Sequence, residues 1–368
     1  MSVTTATTTI ANKVPRSDAG PANLTIQPVR DEAARRDWAA YVENSPQGTL
    51  FHHPDWCETV CEVFGHHSLN CIARRDDRVV GLLPLVEVRS LLAGKMLVSV
   101  PYAPYGGIIA DDDTVRAELA GEARRLTDKR NARSLHVRGV EPVFDDLPVN
   151  ERYAVFVRRL PLRVEELETY LPRKARAAVR QARKREGLTV QHDARLLDVV
   201  WQLYARSMRR LASLNYPWRF FETLARRLET RAWITGVWKE QQPVAGLLSF
   251  VFRDTVYPYF VGVDERLRCT GATNLIYFSV MERAVRAGLG WFDFGRSRRD
   301  NTGSFDFKRN QGFEPRTLAY QHYIPAGRTA PDLTPSNPRF SLARRVWPRL
   351  PLAITQPLGS WLSHSIPG

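Results

Sequence analysis

AWITGVWKEQQPVAGLLSFVFRDTVYPYFVGVDERLRCTGATNLIYFSVMERAVRAGLGWFDF, running from Ala232 to Phe294, is the stretch that decides the fold. Three β-branched and aromatic runs, Ala232 to Lys239, Val244 to Arg253 and Thr255 to Val263, are separated by short polar breaks and read as consecutive strands. A helical period takes over from Gly271 to Ala287, and Trp291 to Phe294 returns to strand. Strands alternating with helices indicate an α/β class and exclude an all-helical bundle or a β-sandwich.

Working outward, Val164 to Leu171, Arg173 to Gly187, Ala194 to Leu214 and Pro217 to Leu228 read as helices, and Arg316 to Ile324 as a last strand. The N-terminal half repeats the theme. Leu24 to Val29 is a strand, and Asp31 to Asn44 a helix with Trp38, Tyr41 and Val42 on one face. Pro54 opens a short helix. Ser68 to Arg75 and Val79 to Val88 are strands joined at Asp76-Asp77-Arg78, which suits a hairpin. The segment PYAPYGGI, Pro101 to Ile108, then interrupts the sheet. Thr114 to Asn131 is helical, with strands at Ser134 to Arg138 and Tyr153 to Arg159. At 368 residues the chain is long for one domain. We therefore expect a polar tail over 1–23, domains over 24–160 and 161–325, and a Pro/Arg-rich tail over 326–368.

The net charge of +14 points to an anionic partner: phosphate, nucleic acid or a membrane surface. Only seven of the 53 basic residues are Lys, so each Lys stands out. No apolar run approaches the roughly 20 residues needed to span a bilayer. The Thr/Ala/Ser-rich start does not resemble a secretory signal, and a cytoplasmic location is expected. Four cysteines make no disulfide framework. Cys57 and Cys61, with His66, His67 and Cys71 nearby, raise the question of zinc. They fit equally the apolar face of a helix holding Trp56, Val60 and Phe64, and we expect no metal.

Three segments carry candidate chemistry. In Arg266-Leu-Arg-Cys-Thr-Gly-Ala-Thr273, the amides of Gly271, Ala272, Thr273 and Asn274 at a helix start suit a pyrophosphate, with Arg268 beside them. Simple helix capping explains the same residues. Next, Trp-Phe-Asp-Phe-Gly-Arg-Ser, Trp291 to Ser297, and Phe305 to Phe313 read as two aromatic strand-like pieces around a polar loop. Lys308 there suggests a compact charge at a confined site, or a leftover Lys on a strand edge. Asp293 suits a base or an orienting group, or a partner for Arg296. In the third, Leu171 to Glu186, Arg173, Arg176, Arg180 and Arg183 form one helical stripe opposite Ala175, Ala178, Val179 and Ala182. The stripe either contacts phosphates or is merely solvated.

The run Val244 to Phe313, with Phe-Asp-Phe-Gly-Arg-Ser and Phe-Lys-x-x-x-Gly-Phe, resembles the second domain of FemAB-type transferases. It is most similar to the branch associated with exosortase (PEP-CTERM) and exopolysaccharide systems. PYAPYGGI and Phe51-His52-x-Pro-x-Trp56 resemble that branch's first domain, and the likeness covers about 24–325. Arg268-x-x-Gly271-x-Thr273 also resembles the pyrophosphate turn of GNAT acyltransferases, with Thr departing at its last position. The resemblance implies two GNAT-like domains, each a mixed sheet flanked by helices. It also implies an acyltransferase with no tightly bound cofactor, using acyl-CoA or aminoacyl-tRNA as co-substrate. The acceptor it implies is a phosphate-bearing glycan or lipid-linked precursor. Phe307-Lys308 matches the Phe-Lys pair that sits beside the acyl centre in peptidoglycan-branching relatives, and the family draws Arg176 and Arg180 towards acceptor phosphates. Such relatives often carry a long helical arm that docks tRNA; no comparable arm is visible here, which opens the way to acyl-CoA or another acyl donor.

The expected mechanism is direct transfer, with Lys308 stabilising the oxyanion and Asp293 orienting or deprotonating the acceptor. Tyr102, Tyr105 and Phe51 either line the acceptor cleft or belong to a core. Arg296 and Ser297 complete the substrate-binding set. The tail from Phe340 to Trp361 either rests on the inner membrane surface or packs on the second domain. A catalytically inert binder of RNA or anionic polysaccharide, and a small-molecule N-acetyltransferase, are the competing readings.

Overall fold

The computed structural model describes residues 23–329 and 341–367. Up to residue 159 the chain builds β1 (Leu24–Pro28), α1 (Glu32–Asn44), α2 (Pro54–Phe64), β2 (His67–Ser68), β3 (Cys71–Arg75), β4 (Arg78–Leu83), β5 (Val86–Ser90), β6 (Gly94–Val98), β7 (Ile109–Ala110), α3 (Asp113–Lys129), β8 (Ser134–Gly139) and β9 (Tyr153–Arg159). Then follow α4 (Leu167–Tyr170), α5 (Arg173–Lys184), β10 (Leu188–His192), α6 (Leu197–Arg210), α7 (Trp218–Leu228), β11 (Ala232–Lys239), β12 (Gln242–Phe252), β13 (Thr255–Val263), α8 (Ala272–Arg286), β14 (Trp291–Arg298), α9 (Thr302–Asn310), β15 (Pro315–Thr317), β16 (Ala319–Tyr323), α10 (Ser341–Val346) and α11 (Leu352–Leu362). The protein is α/β, with mixed sheets flanked by helices.

The first half holds a four-stranded sheet, β1-β3-β4-β7, and a five-stranded sheet, β16-β8-β6-β5-β2. Asp76 and Asp77 both take left-handed backbone, which gives the tight hairpin between β3 and β4. The strand expected over Val79 to Val88 breaks at Pro84, and β4 and β5 belong to different sheets. The Asn70 side chain accepts the Leu85 N–H at 2.9 Å across the break. A seven-stranded sheet, β10-β11-β12-β13-β14-β9-β15, organises the second half.

The expected boundary at residue 160 does not coincide with the sheets. Strand β9 pairs with β14 and β15, while β16, near the far end of the chain, pairs with β8. Each half thus lends a strand to the other, an exchange that local periodicity cannot reveal. The halves also share an aromatic core: the Phe51 ring lies 5.4 Å from that of Tyr257, and Trp56 lies 5.2 Å from Tyr259 and 6.0 Å from Phe220. Strands β6 and β10 went unread in the sequence. The piece from Phe305, expected as strand, is the helix α9, with Asn301 as its N-cap.

Candidate active site

The site grows from a fork in the large sheet. Parallel strands β13 and β14 pair only at Thr255–Trp291 and Val256–Phe292, then part. Beyond that point β14 carries a bulge against β9: Asp293 faces Val157 and Arg296 faces Val155, so Phe294 and Gly295 oppose one residue. Gly295 has a φ of +66°, which favours glycine. A bulge leaves carbonyls without ladder partners, and here α9 supplies the donors. Lys308 Nζ donates to the carbonyls of Phe294 at 2.8 Å, Gly295 at 3.2 Å and Arg296 at 2.9 Å. An ammonium has three N–H bonds, and all three have acceptors here. In this arrangement Lys308 clamps the bulge, each of its three N–H bonds directed at a backbone carbonyl. It sits on a helix, not on a strand edge.

Asp293, at the fork, is 2 % exposed. It accepts hydrogen bonds from the Tyr105 hydroxyl and, at 2.7 Å, from the Gly295 N–H. Burial pushes its carboxyl up to about 6, opposed by those two donors and by the Lys308 charge. Burial likewise draws the Lys308 ammonium down to about 7, with Asp293 opposing and Arg296 assisting. Two oppositely charged groups therefore have proton affinities that converge near neutrality. Arg296 does not pair with Asp293. It donates to Tyr320 Oη at 2.6 Å, and its guanidinium stands 4.8 Å over the Tyr153 ring.

Other expected residues are scattered. Phe307 packs 5.6 Å from Tyr277, and Ser297 shares a hydrogen bond with Ser304 at 2.8 Å. Phe51 and Tyr102 are core residues and do not line an open cleft. Tyr102 stacks on Phe64 at 4.0 Å, and its hydroxyl bonds to His66 at 2.9 Å and donates to the Ser363 carbonyl at 3.2 Å. Tyr105 does join the site, through Asp293. Along α5, Ala175, Val179 and Ala182 are buried as expected, while Arg176 donates to the Glu168 carbonyl at 2.7 Å and Arg180 is exposed.

The turn before α8 keeps half its expected character. No side chain caps α8, so the amides of Ala272, Thr273 and Asn274 receive no capping oxygen, and Arg268 is exposed. Gly271, however, is fixed by packing. Its φ is +80°, and a Cβ there would meet the Ala178 carbonyl oxygen of α5 at 2.3 Å. Tyr277, six residues further along the helix, sets its ring edge-on to Phe294 at 4.8 Å, linking α8 to the bulge. Sequence reading missed Tyr277, Tyr257 and Tyr320. Tyr257 and Tyr320 lie near the starts of β13 and β16, and Tyr277 lies within α8, so an aromatic side chain in a regular element was their only signal. Among the described residues no cluster of three or more His, Cys, Asp or Glu could hold a metal ion.

Residues 172–309 match the acetyltransferase (GNAT) domain family. This region is a GNAT domain, and with it the protein is an acyltransferase. The match spans α5 to α9 and so contains the fork, the bulge and the Gly271 turn. FemX is similar to the whole arrangement, with a TM-score of 0.60 at 16% identity over 82% of this chain and 97% of that one. A tandem GNAT protein from the clavulanic acid biosynthesis pathway scores 0.50 at 14% identity, over 82% and 98%. L-PGS from Bacillus licheniformis scores 0.50 at 14%, over 81% and 98%. At such identities the shared property is the fold, two GNAT-like units in one chain. No curated protein matches the chain by sequence.

Proposed function

We propose that this GNAT-type protein transfers an acyl or aminoacyl group from acyl-CoA or an aminoacyl-tRNA to an amine or hydroxyl of a cell-envelope or exopolysaccharide precursor. The observation that carries the reading is the buried Asp293, linked to Tyr105, at the point where β13 and β14 part. In direct transfer the acceptor nitrogen or oxygen attacks the acyl carbonyl and gives up a proton. The carbonyl then re-forms as the thiol or tRNA hydroxyl leaves. Asp293, with Tyr105 as the intervening hydroxyl, receives the proton, and its raised proton affinity suits a base working near neutrality. Lys308 acts as a positioning residue: it holds the bulge that presents Asp293, and its charge favours the carboxylate.

Among the described residues no strand pairs with β13 on its β14 side beyond Val256, which suits an extended, amide-bearing arm such as that of CoA. The uncapped amides of α8 suit its pyrophosphate. The tandem GNAT structure was solved without AcCoA, which names an acyl donor for that protein. Another similar structure is the C-terminal domain of a putative lysylphosphatidylglycerol synthetase, whose name joins an aminoacyl group to a lipid. The exopolysaccharide acceptor rests on the likeness of Val244 to Phe313 to the exosortase-associated branch. A cytoplasmic location follows from where both donors are found.

The test is thermal melting of the full chain with acetyl-CoA and, separately, with charged tRNA, followed by an acyl-product assay of wild type and Asp293→Asn. Stabilisation by one donor, and loss of product in a variant that still binds it, support the proposal. If neither donor raises the melting temperature, or if Asp293→Asn forms product at the wild-type rate, the proposal fails.

A further inference from the structure

The end of the chain is built inside out. In α11, Thr355 and Gly359 face the protein, followed by Ser363 and Ser365 in the short turn beyond, all of them buried. Ile354, Leu358 and Trp361 are 48, 38 and 57 % exposed. Those positions are four and three residues apart and share one helical stripe. An isolated soluble helix places the two kinds of residue the other way round.

The inward face is held by specific bonds. Asn215 Nδ2 donates to the Gln356 carbonyl at 3.1 Å and to Ser360 Oγ at 2.9 Å. Arg209 holds the Leu350 carbonyl at 3.0 Å, and the Tyr102 N–H donates to the Pro367 carbonyl at 2.8 Å. A Cβ on Gly359 would meet Asn215 Oδ1 at 2.4 Å. The orientation is therefore fixed, and the apolar stripe points outward because of it. The β5–β6 turn widens the patch: Leu91 and Leu92 are 65 and 52 % exposed, and the Leu91 N–H donates to Ser365 Oγ at 3.2 Å. Exposed Leu342 and Val346 on α10 belong to the same terminal segment.

Charge identifies the occupant. From Ser341 to Pro367 the sequence contains Arg344, Arg345 and Arg349 and no Asp or Glu. A second copy docked through this face would bring like charges together, because a two-fold contact apposes the same patch. An anionic bilayer accepts both features, apolar side chains among the acyl chains and guanidinium groups at the phosphates. Among the described residues no helix is long and apolar enough to cross a membrane, so the segment would lie along the surface.

We infer that α10 and α11, with the Leu91–Leu92 turn, form a docking face for an anionic lipid bilayer. The inference does not depend on the acyl-transfer reading. The test is co-sedimentation of the full chain with phosphatidylcholine vesicles with and without phosphatidylglycerol. Wild type should partition onto phosphatidylglycerol vesicles, with a blue shift of tryptophan emission. Ile354→Ser/Trp361→Ser should bind about tenfold more weakly, and Arg345→Gln/Arg349→Gln should lose the preference for the anionic lipid. Melting temperatures near wild type show that the exposed substitutions leave the fold intact. Wild type remaining in the supernatant, equal binding by the variants, or a dimer in light scattering that the Ile354/Trp361 variant dissolves would each overturn the inference.

Discussion

The Tyr105 hydroxyl is hydrogen bonded to the Asp293 carboxylate, 188 positions later in the chain. One bond joins the PYAPYGGI loop of the first half to the fork of the second. It is also one of the donors that hold down the proton affinity of Asp293.

Tyr105→Phe should therefore move Asp293 further upward, because a donor to the charged form is lost while burial remains. The rate falls because the intervening hydroxyl is gone, the acid limb of the remaining pH–rate profile shifts to higher pH, and stability falls by about 1–2 kcal/mol for the lost buried hydrogen bond. Chemical denaturation and a rate profile check the two together. An unmoved acid limb would remove Asp293 from the reaction.

Lys308→Met leaves the carbonyls of Phe294, Gly295 and Arg296 without their donor. Unsatisfied buried groups cost about 1–3 kcal/mol each, and relaxation of the bulge recovers part of this, so a loss of about 2–5 kcal/mol is expected. Activity falls because the bulge no longer presents Asp293. Unchanged stability with abolished activity would instead restore a direct chemical role for the ammonium.

That pair of residues shows what the sequence discloses. A solitary Lys in an Arg-rich chain was legible as unusual, and the physical reason is local: three carbonyls converge on a point that a planar guanidinium does not fit. Its helix was not legible, since Phe305 and Phe307 alternate as in a strand. The three strands from Ala232 to Val263, the helix after Gly271 and the amphipathic α5 were all readable, because each buries a periodic face. The exchange of β9 and β16 was not, because register between distant strands leaves no local signature. Tyr102 and Tyr105 look equivalent in PYAPYGGI. Only tertiary packing sends one to Asp293 and the other beneath Ser363.

The pH dependence of stability follows from both shifts. Asp293 binds its proton more tightly folded than unfolded, so its stabilising contribution is complete below about 4 and lost as pH rises through about 6. Lys308 binds its proton less tightly folded, so its contribution is present above about 10.5 and lost as pH falls through about 7. The pair should thus contribute a stability minimum between about pH 6 and 7. Asp293→Asn should remove the falling limb on the acid side in denaturation series across pH. A wild-type profile that rises from pH 4 to 6 relative to that variant would contradict the assignment.

Gly271→Ala separates packing from ligand binding at the α8 turn. The φ of +80° disfavours any Cβ, and the Ala178 oxygen at 2.3 Å leaves no room for one. Since that oxygen belongs to the backbone of α5, relief requires moving the helix, and about 2–4 kcal/mol of stability should be lost without any ligand. Arg268→Ala changes an exposed side chain beside the same turn and should leave the melting temperature within about 1 °C. It should still weaken stabilisation by acetyl-CoA, if phosphates sit at the uncapped amides. Gly271→Ala melting like wild type while losing the donor response would mean that the glycine serves the ligand and that α5 yields easily.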